Sequence, residues 1–552
     1  ILKSVSNSFS IINDALQDRI MEDNNFWSQA PVLSGDWPVH WKNGFVYDFN
    51  TLRLTLRPPV GIYTTRWDGM QIRWPRIVLA ETSLDMITLS HADPDISKEV
   101  LLGIFRDARG PNVPCTREDG SFNMINSDGS ISGTSPSWGF PAFTIYSIYL
   151  REQDVQWLSE IYFYLGNYLK WWLDNRRDSE GYLVNRSSWE AGQDDLPRWG
   201  WGQRSGGSLI ENYRTPELQA SMAQAAGIME FFSNILGKGD EIDFWKSIKE
   251  EFIERTQSLW HDNWFYDFDS VLDGWSKQGQ YAMQLAPIFA NLPQLGIEVT
   301  GKRQNEILAN YLTDPEEYYT VPPGTPVPAK YFESERRWNS KGWTVSGRYR
   351  KPDNRIRLDR VWAPIPYTLI EGAWRIGKRQ IAAELSYMLL DPVYKTMDLR
   401  EKLALKPMPG VSYECWDTAL QAPELPVISI ESGVEGYGWG AITALFLIRE
   451  IIGFRENDLD SFILSPTFPD KLLNSGNLFE ISNLKFKGGV FNLKYIFSTE
   501  KDIEVYLNVK NARWSKIKVV DEGGNEIPVH QTIGKAVFNA INGQVLRVYP
   551  IE

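Results

Sequence analysis

The chain has 552 residues, enough for three to four domain-sized units at about 150 residues each, or for one large α-barrel with appendages. It carries 57 basic and 70 acidic residues, a net charge of −13, with 23% charged and 43% hydrophobic positions, which describes a globular protein and argues against a nucleic-acid partner. Two cysteines, Cys115 and Cys415, cannot build a disulfide framework, and no apolar run reaches the ~18 residues of a membrane span. No membrane crossing is therefore expected. The compartment stays open between cytoplasmic and exported after removal of a signal peptide.

Taken in chain order, residues 1–55 read as an N-terminal extension that packs on the helical region after it: one amphipathic helix with Phe9, Ile12, Leu16 and Ile20 on one face, then an irregular Trp-rich stretch. From 56 to 455 the periodicity is helical. Leu158, Ile161, Leu165, Tyr168, Leu169 and Trp172 form an apolar stripe across 153–173. Thr215 and Pro216 open a second helix that Gly237 closes, and a third, apolar nearly all round, follows Tyr437 and should be buried on most sides. Residues 314–360 are rich in Pro and Gly and too long for a simple connection, which predicts a functional loop or lid. After Gly453 the period becomes two. Leu484, Phe486, Val490, Phe491, Leu493 and Tyr495 flank a Gly-Gly turn, and 456–552 is expected to be a β-sandwich-like domain that stabilises the helical part without binding substrate.

The aromatic content is high: 23 Trp, 24 Tyr and 26 Phe, 13% of the chain. Several Trp stand beside charged residues, as in Arg66-Trp67-Asp68 and Ser188-Trp189-Glu190, a pairing suited to sugars, whose C–H faces stack on rings while their hydroxyls seek charged partners. Simple core filling is the competing reading for each ring. Gly296-x4-Gly301-Lys302 has phosphate-loop spacing but lacks the Ser or Thr for magnesium, and Gly436-x-Gly438-x-Gly440 lacks the preceding strand of a dinucleotide site, so close packing better explains its glycines. The four histidines are scattered, which argues against a zinc site and a Ser-His-Asp triad; no cofactor and no metal are expected.

Carboxylates are then the available acids and bases. Trp189-Glu190-Ala-Gly-Gln-Asp194-Asp195 crowds three acids between Trp and Arg198, an environment that can keep one carboxyl protonated. Tyr413-Glu414-Cys-Trp-Asp417 is a second cluster far along the chain. Helix capping, or pairing with Arg198 and Arg204, is the alternative use of these acids.

The stretch from Trp189 to Trp199 resembles the acid-bearing motif of glycoside hydrolase family 63 and of the related family 37 trehalases. Further pieces follow in family order: Arg66-Trp67-Asp68, Trp171-Trp172 before Gly181, Leu259-Trp260 with Tyr266-Asp267, Val361-Trp362-Ala-Pro364, and Tyr413-Glu414 before Gly438-Trp439-Gly-Ala441. The resemblance covers roughly residues 56–455 and implies a mainly α fold, an (α/α)6 toroid barrel followed by the small antiparallel β domain. By position it implies Asp194 as general acid and Glu414 as general base of an inverting, exo-acting α-glycosidase, with Trp67, Asp68, Trp189, Glu190, Arg198, Trp362 and Trp439 lining the sugar pocket. The sequence departs from the family at Gln193 and at Leu358-Asp359-Arg360, so the roles are firmer than any named sugar.

Two other readings are compatible with the toroid, a non-catalytic carbohydrate-binding protein and a polysaccharide lyase. From Lys330 to Arg360 ten basic residues face four acidic ones, Arg outnumbering Lys seven to three, against the sign of the whole chain. Arg pairs with carboxylates through two parallel hydrogen bonds, so the segment predicts an anionic glycoside, for instance a uronate, a sulfated sugar or a glycerate-linked sugar.

Overall fold

The computed structural model describes residues 2–193, 197–199, 207–276, 280–313, 344–346, 360–403, 410–417, 431–510 and 514–551. The molecule is mainly α, an (α/α)6 barrel with an antiparallel β domain at its C-terminus. Its helices are α1 (Leu2–Gln29), α2 (Val39–Thr55), α3 (Leu79–Leu89), α4 (Pro94–Arg106), α5 (Pro141–Glu152), α6 (Val155–Asn175), α7 (Pro216–Ile235), α8 (Gly239–Ser258), α9 (Ala286–Ala290), α10 (Lys302–Thr313), α11 (Pro364–Arg375), α12 (Arg379–Leu403) and α13 (Ile442–Phe446).

Burial alternates along this series. Every residue of α3 and nearly every residue of α5 is buried, whereas α4 and α6 bury one stripe and expose the other face, so inner and outer helices take turns. The stripe expected on α6, from Leu158 to Trp172, is buried as a set. Local chemistry sets the ends. Asp93 and Asp154 cap α4 and α6, each side chain accepting a backbone N–H three residues on, from Ile96 and Trp157 at 3.0 Å. Pro94, Pro141 and Pro216 occupy first-turn positions, where the missing N–H costs nothing. The segment after Tyr437 is buried throughout: a short 3-10 turn, α13, then one wider π-type turn at Leu447–Ile451.

The N-terminal region differs from its sequence reading. The stretch expected to be irregular forms a strand, Val32–Gly35, and then α2, which packs against α12 and the 438–446 segment. Trp41, Phe45, Phe49 and Leu52 give α2 a helical stripe, interrupted for the eye by the buried Asp48 and Thr51.

Two sheets build the C-terminal part. A six-stranded antiparallel sheet runs in the order 32–35, 478–486, 489–497, 502–509, 535–541, 530–532, and its first strand comes from the N-terminal region. A five-stranded sheet contains 454–456, 462–464, 546–551, 516–521 and 526–527. Phe462 of the second stacks on Phe491 of the first at 5.2 Å, joining the two faces. The expected Gly-Gly hairpin closes at Phe486↔Gly489, with Lys487 and Gly488 both at positive φ.

Candidate active site

Glu414 lies in the strand Tyr413–Asp417, inside a four-stranded antiparallel sheet ordered 431–435, 413–417, 360–362, 344–346. The register sets Val361 against Trp416 and Trp362 against Cys415, which brings two stretches far apart in sequence side by side. The Glu414 carboxylate accepts the Val434 backbone N–H at 2.9 Å, and the side chain is partly exposed. Gly433, at φ +79°, makes this approach possible: a Cβ there would stand 2.5 Å from Glu414 Oε2.

Aromatic rings wall the neighbourhood. Trp439 donates its indole N–H to the Glu414 carbonyl at 2.6 Å, and its ring stands 5.9 Å from Trp362, 5.0 Å from Tyr437 and 6.3 Å, edge-on, from Trp138. The Trp362 indole N–H is buried with no acceptor among the described residues. Trp138 links this wall to the other acid cluster. Gly192, at φ +68°, lies so close to the Trp138 ring that a Cβ would sit 2.3 Å from it, and Ser135 N–H donates to the Glu190 carbonyl at 3.0 Å. Asp194 follows two residues later and lies outside the described residues.

Beneath the aromatic wall is a layer of buried carboxylates. Asp68 is fully buried, accepts the Met70 N–H at 3.0 Å and faces Asp85 of α3. Burial pushes both carboxyls up, Asp85 well above the carboxylate range with the neighbouring Asp68 adding to the effect. Glu81, one turn earlier on α3, accepts the Tyr437 hydroxyl at 3.3 Å. Gly438 touches Asp85 and Gly440 touches the Tyr413 carbonyl so closely that a Cβ at either would clash, at 1.7 and 2.2 Å. This close approach is the use the structure makes of the glycine triplet.

Other predicted residues are held by contacts within the protein. Trp67 packs on Tyr63 at 4.5 Å and donates to the Pro58 carbonyl, and the Trp189 ring lies against Gly207. Glu190 is fully buried and binds Arg176 through both oxygens, at 3.0 and 2.8 Å. Arg198 is also fully buried; it donates to Asp267 through two nitrogens at 2.7 and 2.5 Å, to Glu217 at 2.8 Å and to Gln193 at 2.8 Å. The basic run from Lys330 to Arg360 lies outside the described residues, apart from Thr344–Ser346 and Arg360.

Residues 82–348 match the family model of the mannosylglycerate hydrolase MGH1-like glycoside hydrolase domain. The match supports a glycoside hydrolase domain over these residues. Among solved structures, the GH63 mannosylglycerate hydrolase from Thermus thermophilus in complex with glucose superposes with a TM-score of 0.51 at 15% identity, over 73% of this chain and 100% of that one. The GH78 rhamnosidase of a Bacillus species gives 0.51 at 11% identity, over 85% and 41%. A chain described as a sialidase gives 0.58 at 11%, over 92% of this chain but only 41% of its own length. At such identities the likeness is one of fold.

Trp138, Tyr437, Glu81 and Asp85 adjoin the Glu414 neighbourhood without having been picked out from the sequence. Trp138 was marked only by the Trp-Gly-Phe-Pro run that opens α5. Glu81 and Asp85 stand four apart on one helix, a spacing that solvated carboxylates share, so nothing local distinguishes them. Among the described residues no group of three or more His, Cys, Asp and Glu is arranged to hold a metal ion, and no helix is long and apolar enough to cross a membrane.

Proposed function

We propose that the protein is an inverting, exo-acting α-glycosidase in which Asp194 is the general acid and Glu414 the general base. The observation that carries this reading is the Trp138 bridge: its ring stands edge-on to Trp439, which donates to the Glu414 carbonyl, and it also touches Gly192, two residues before Asp194. These contacts support a reading in which the two acid-bearing segments face one site. An inverting pair needs carboxyls about 6.5–9.5 Å apart, so that a water fits between the base and the anomeric carbon. Asp194 protonates the leaving oxygen while Glu414 takes a proton from that water, and the aromatic wall holds the C–H face of the sugar.

The substrate proposed is a small anionic glycoside. The support is the excess of Arg from Lys330 to Arg360, leading into the Trp362 strand, together with the matching family's name, which refers to hydrolysis of a glycerate-linked sugar. The test takes matched neutral and anionic glycosides, with mannosylglycerate as first choice. Proton NMR should show an inverted first-formed anomer. Asp194→Asn or Glu414→Gln should each lower kcat by a factor of ~10² or more. A joint Arg348, Arg350 and Arg355→Ala change should raise KM for the anionic substrate alone, more so at low salt. A retained anomer, or binding without turnover, would overturn the reading.

A further inference from the structure

Between the Trp67–Asp68 strand and α3 runs a segment, residues 69–76, that the catalytic reading leaves unused. It is stitched to the turn following the Glu414 hairpin by three backbone contacts: Ile72 N–H donates to the Gly436 carbonyl at 2.9 Å, Gly438 N–H to the Met70 carbonyl at 2.8 Å, and Gln71 pairs with Tyr437. Arg73 reaches Glu435 at 3.8 Å, next to the hairpin's end. Two bulky residues of the segment hold left-handed backbone, Met70 at φ +55° and Trp74 at φ +51°. Such conformations are strained for residues that carry a Cβ, and at Trp74 the following Pro75 restricts the backbone further.

The strained shape is locked from inside. Buried Gln71 donates its amide N–H to the Trp74 carbonyl at 3.1 Å, and Arg57 donates to the Ile72 carbonyl at 2.6 Å. The result is an indole held out to solvent. Trp74 is 71% exposed and is the only Trp among the described residues that is exposed; the others are buried or partly covered. Core filling does not explain an indole this exposed.

We propose that Trp74 is the stacking platform of an outer subsite, which receives a second pyranose ring beyond the sugar held at the Trp362–Trp439 wall. An indole face suits the C–H face of a pyranose, and preorganisation by the locked loop reduces the ordering cost on binding. The proposal rests on the glycosidase reading for the inner sugar and adds a substrate class to it, glycosides with at least two sugar rings.

Two measurements on the intact protein test it. Iodide quenching of Trp fluorescence reports chiefly on exposed indoles; a non-hydrolysable thio-linked disaccharide or trisaccharide should protect a quenchable component that is missing from Trp74→Phe. In kinetics, Trp74→Ala should raise KM about tenfold on di- and trisaccharides, equivalent to about 1.4 kcal/mol. On a glycoside with one sugar and a small aglycone the effect should stay within about twofold, and Trp74→Phe, which keeps a ring, should recover most of the loss. Turnover with no protection and an unchanged KM would overturn the platform alone. Protection without any turnover would sustain the platform and overturn the hydrolase reading.

Discussion

Arg198 has no exposed surface, and its guanidinium serves two carboxylates and an amide. Asp267 is held through a fork of two nitrogens, Glu217 and Gln193 take the remaining donors, and Gln284 donates to Asp267 at 2.9 Å. Both carboxylates are as buried as the arginine. Removing the cation leaves them uncompensated, and breaking a buried pair from one side costs about 3–5 kcal/mol. Arg198→Met is therefore expected to lower the unfolding free energy by that amount in urea titrations. Arg198→Lys should fall between, because an ammonium keeps the charge but cannot form the fork. Since Gln193 precedes Asp194 directly and is held by the same guanidinium, the lysine protein should also lose kcat out of proportion to its stability. If Arg198→Met unfolds at the same urea concentration as the parent, the cluster has little energetic weight.

At the scale of elements, α2 decides how the Glu414 hairpin is held. Asp48 accepts hydrogen bonds from Tyr394 of α12 and Thr443 of α13, both at 2.6 Å, and from the Ser412 hydroxyl at 2.9 Å; Thr51 accepts the Ser412 N–H at 2.8 Å. The Ser412 carbonyl in turn takes the N–H groups of Gly436 and Tyr437. Burial pushes the Asp48 carboxyl up to about 7, against the lowering effect of its three hydroxyl donors. Below the ordinary value of 3.8 both folded and unfolded chains carry this proton. Between 3.8 and about 7 only the folded chain keeps it, so the contribution to stability falls as pH rises through that window and is level above it. Glu450, also raised to about 7 by burial, acts in the same direction. Comparison with Asp48→Asn isolates the first group: the stability difference between the two proteins should change steadily from pH 4 to 7 and then stop changing. A constant difference across that range would show that Asp48 does not titrate there.

The same elements show what could be read from the chain. The α6 stripe and the 484–495 hairpin follow from periodicity, because each buries one regular set of side chains, and the helix after Tyr437 follows from its nearly unbroken apolar run. The pairing of Trp362 with the Glu414 strand was legible only as motif order; periodicity says nothing about which distant strands meet. α2 was missed because its core face mixes Asp48 and Thr51 with aromatics, a polar interruption that only tertiary hydrogen bonds justify.

At the scale of the whole molecule, the β domain is expected to be inseparable from the barrel. Its six-stranded sheet takes an edge strand, Val32–Gly35, from the N-terminal region, and Trp37 packs on Phe468 and Phe479 at 5.5 and 4.7 Å. Lys485 donates to the carbonyls of Gln29, His91 and Ala92, the last two just beyond the end of α3, where helix carbonyls lack partners. Tyr495 donates to the Ile452 carbonyl at 2.9 Å, and nearby Glu371 is gripped by Arg449 and Arg455 in a fully buried cluster. A protein ending at Ile463 would strand all of these groups: unpaired backbone at 32–35, orphaned carbonyls after α3, and exposed Trp37 and Phe454. It should be insoluble or lack a cooperative transition. A milder change in the full chain carries the same test without relying on misfolding. Trp37→Ala deletes a ring shared by the two parts, should cost about 3–5 kcal/mol, and should lower one common melting transition seen alike by far-UV circular dichroism and by loss of activity. Two separated transitions, or a soluble and fully active protein ending at Ile463, would show instead that the barrel stands without its β domain.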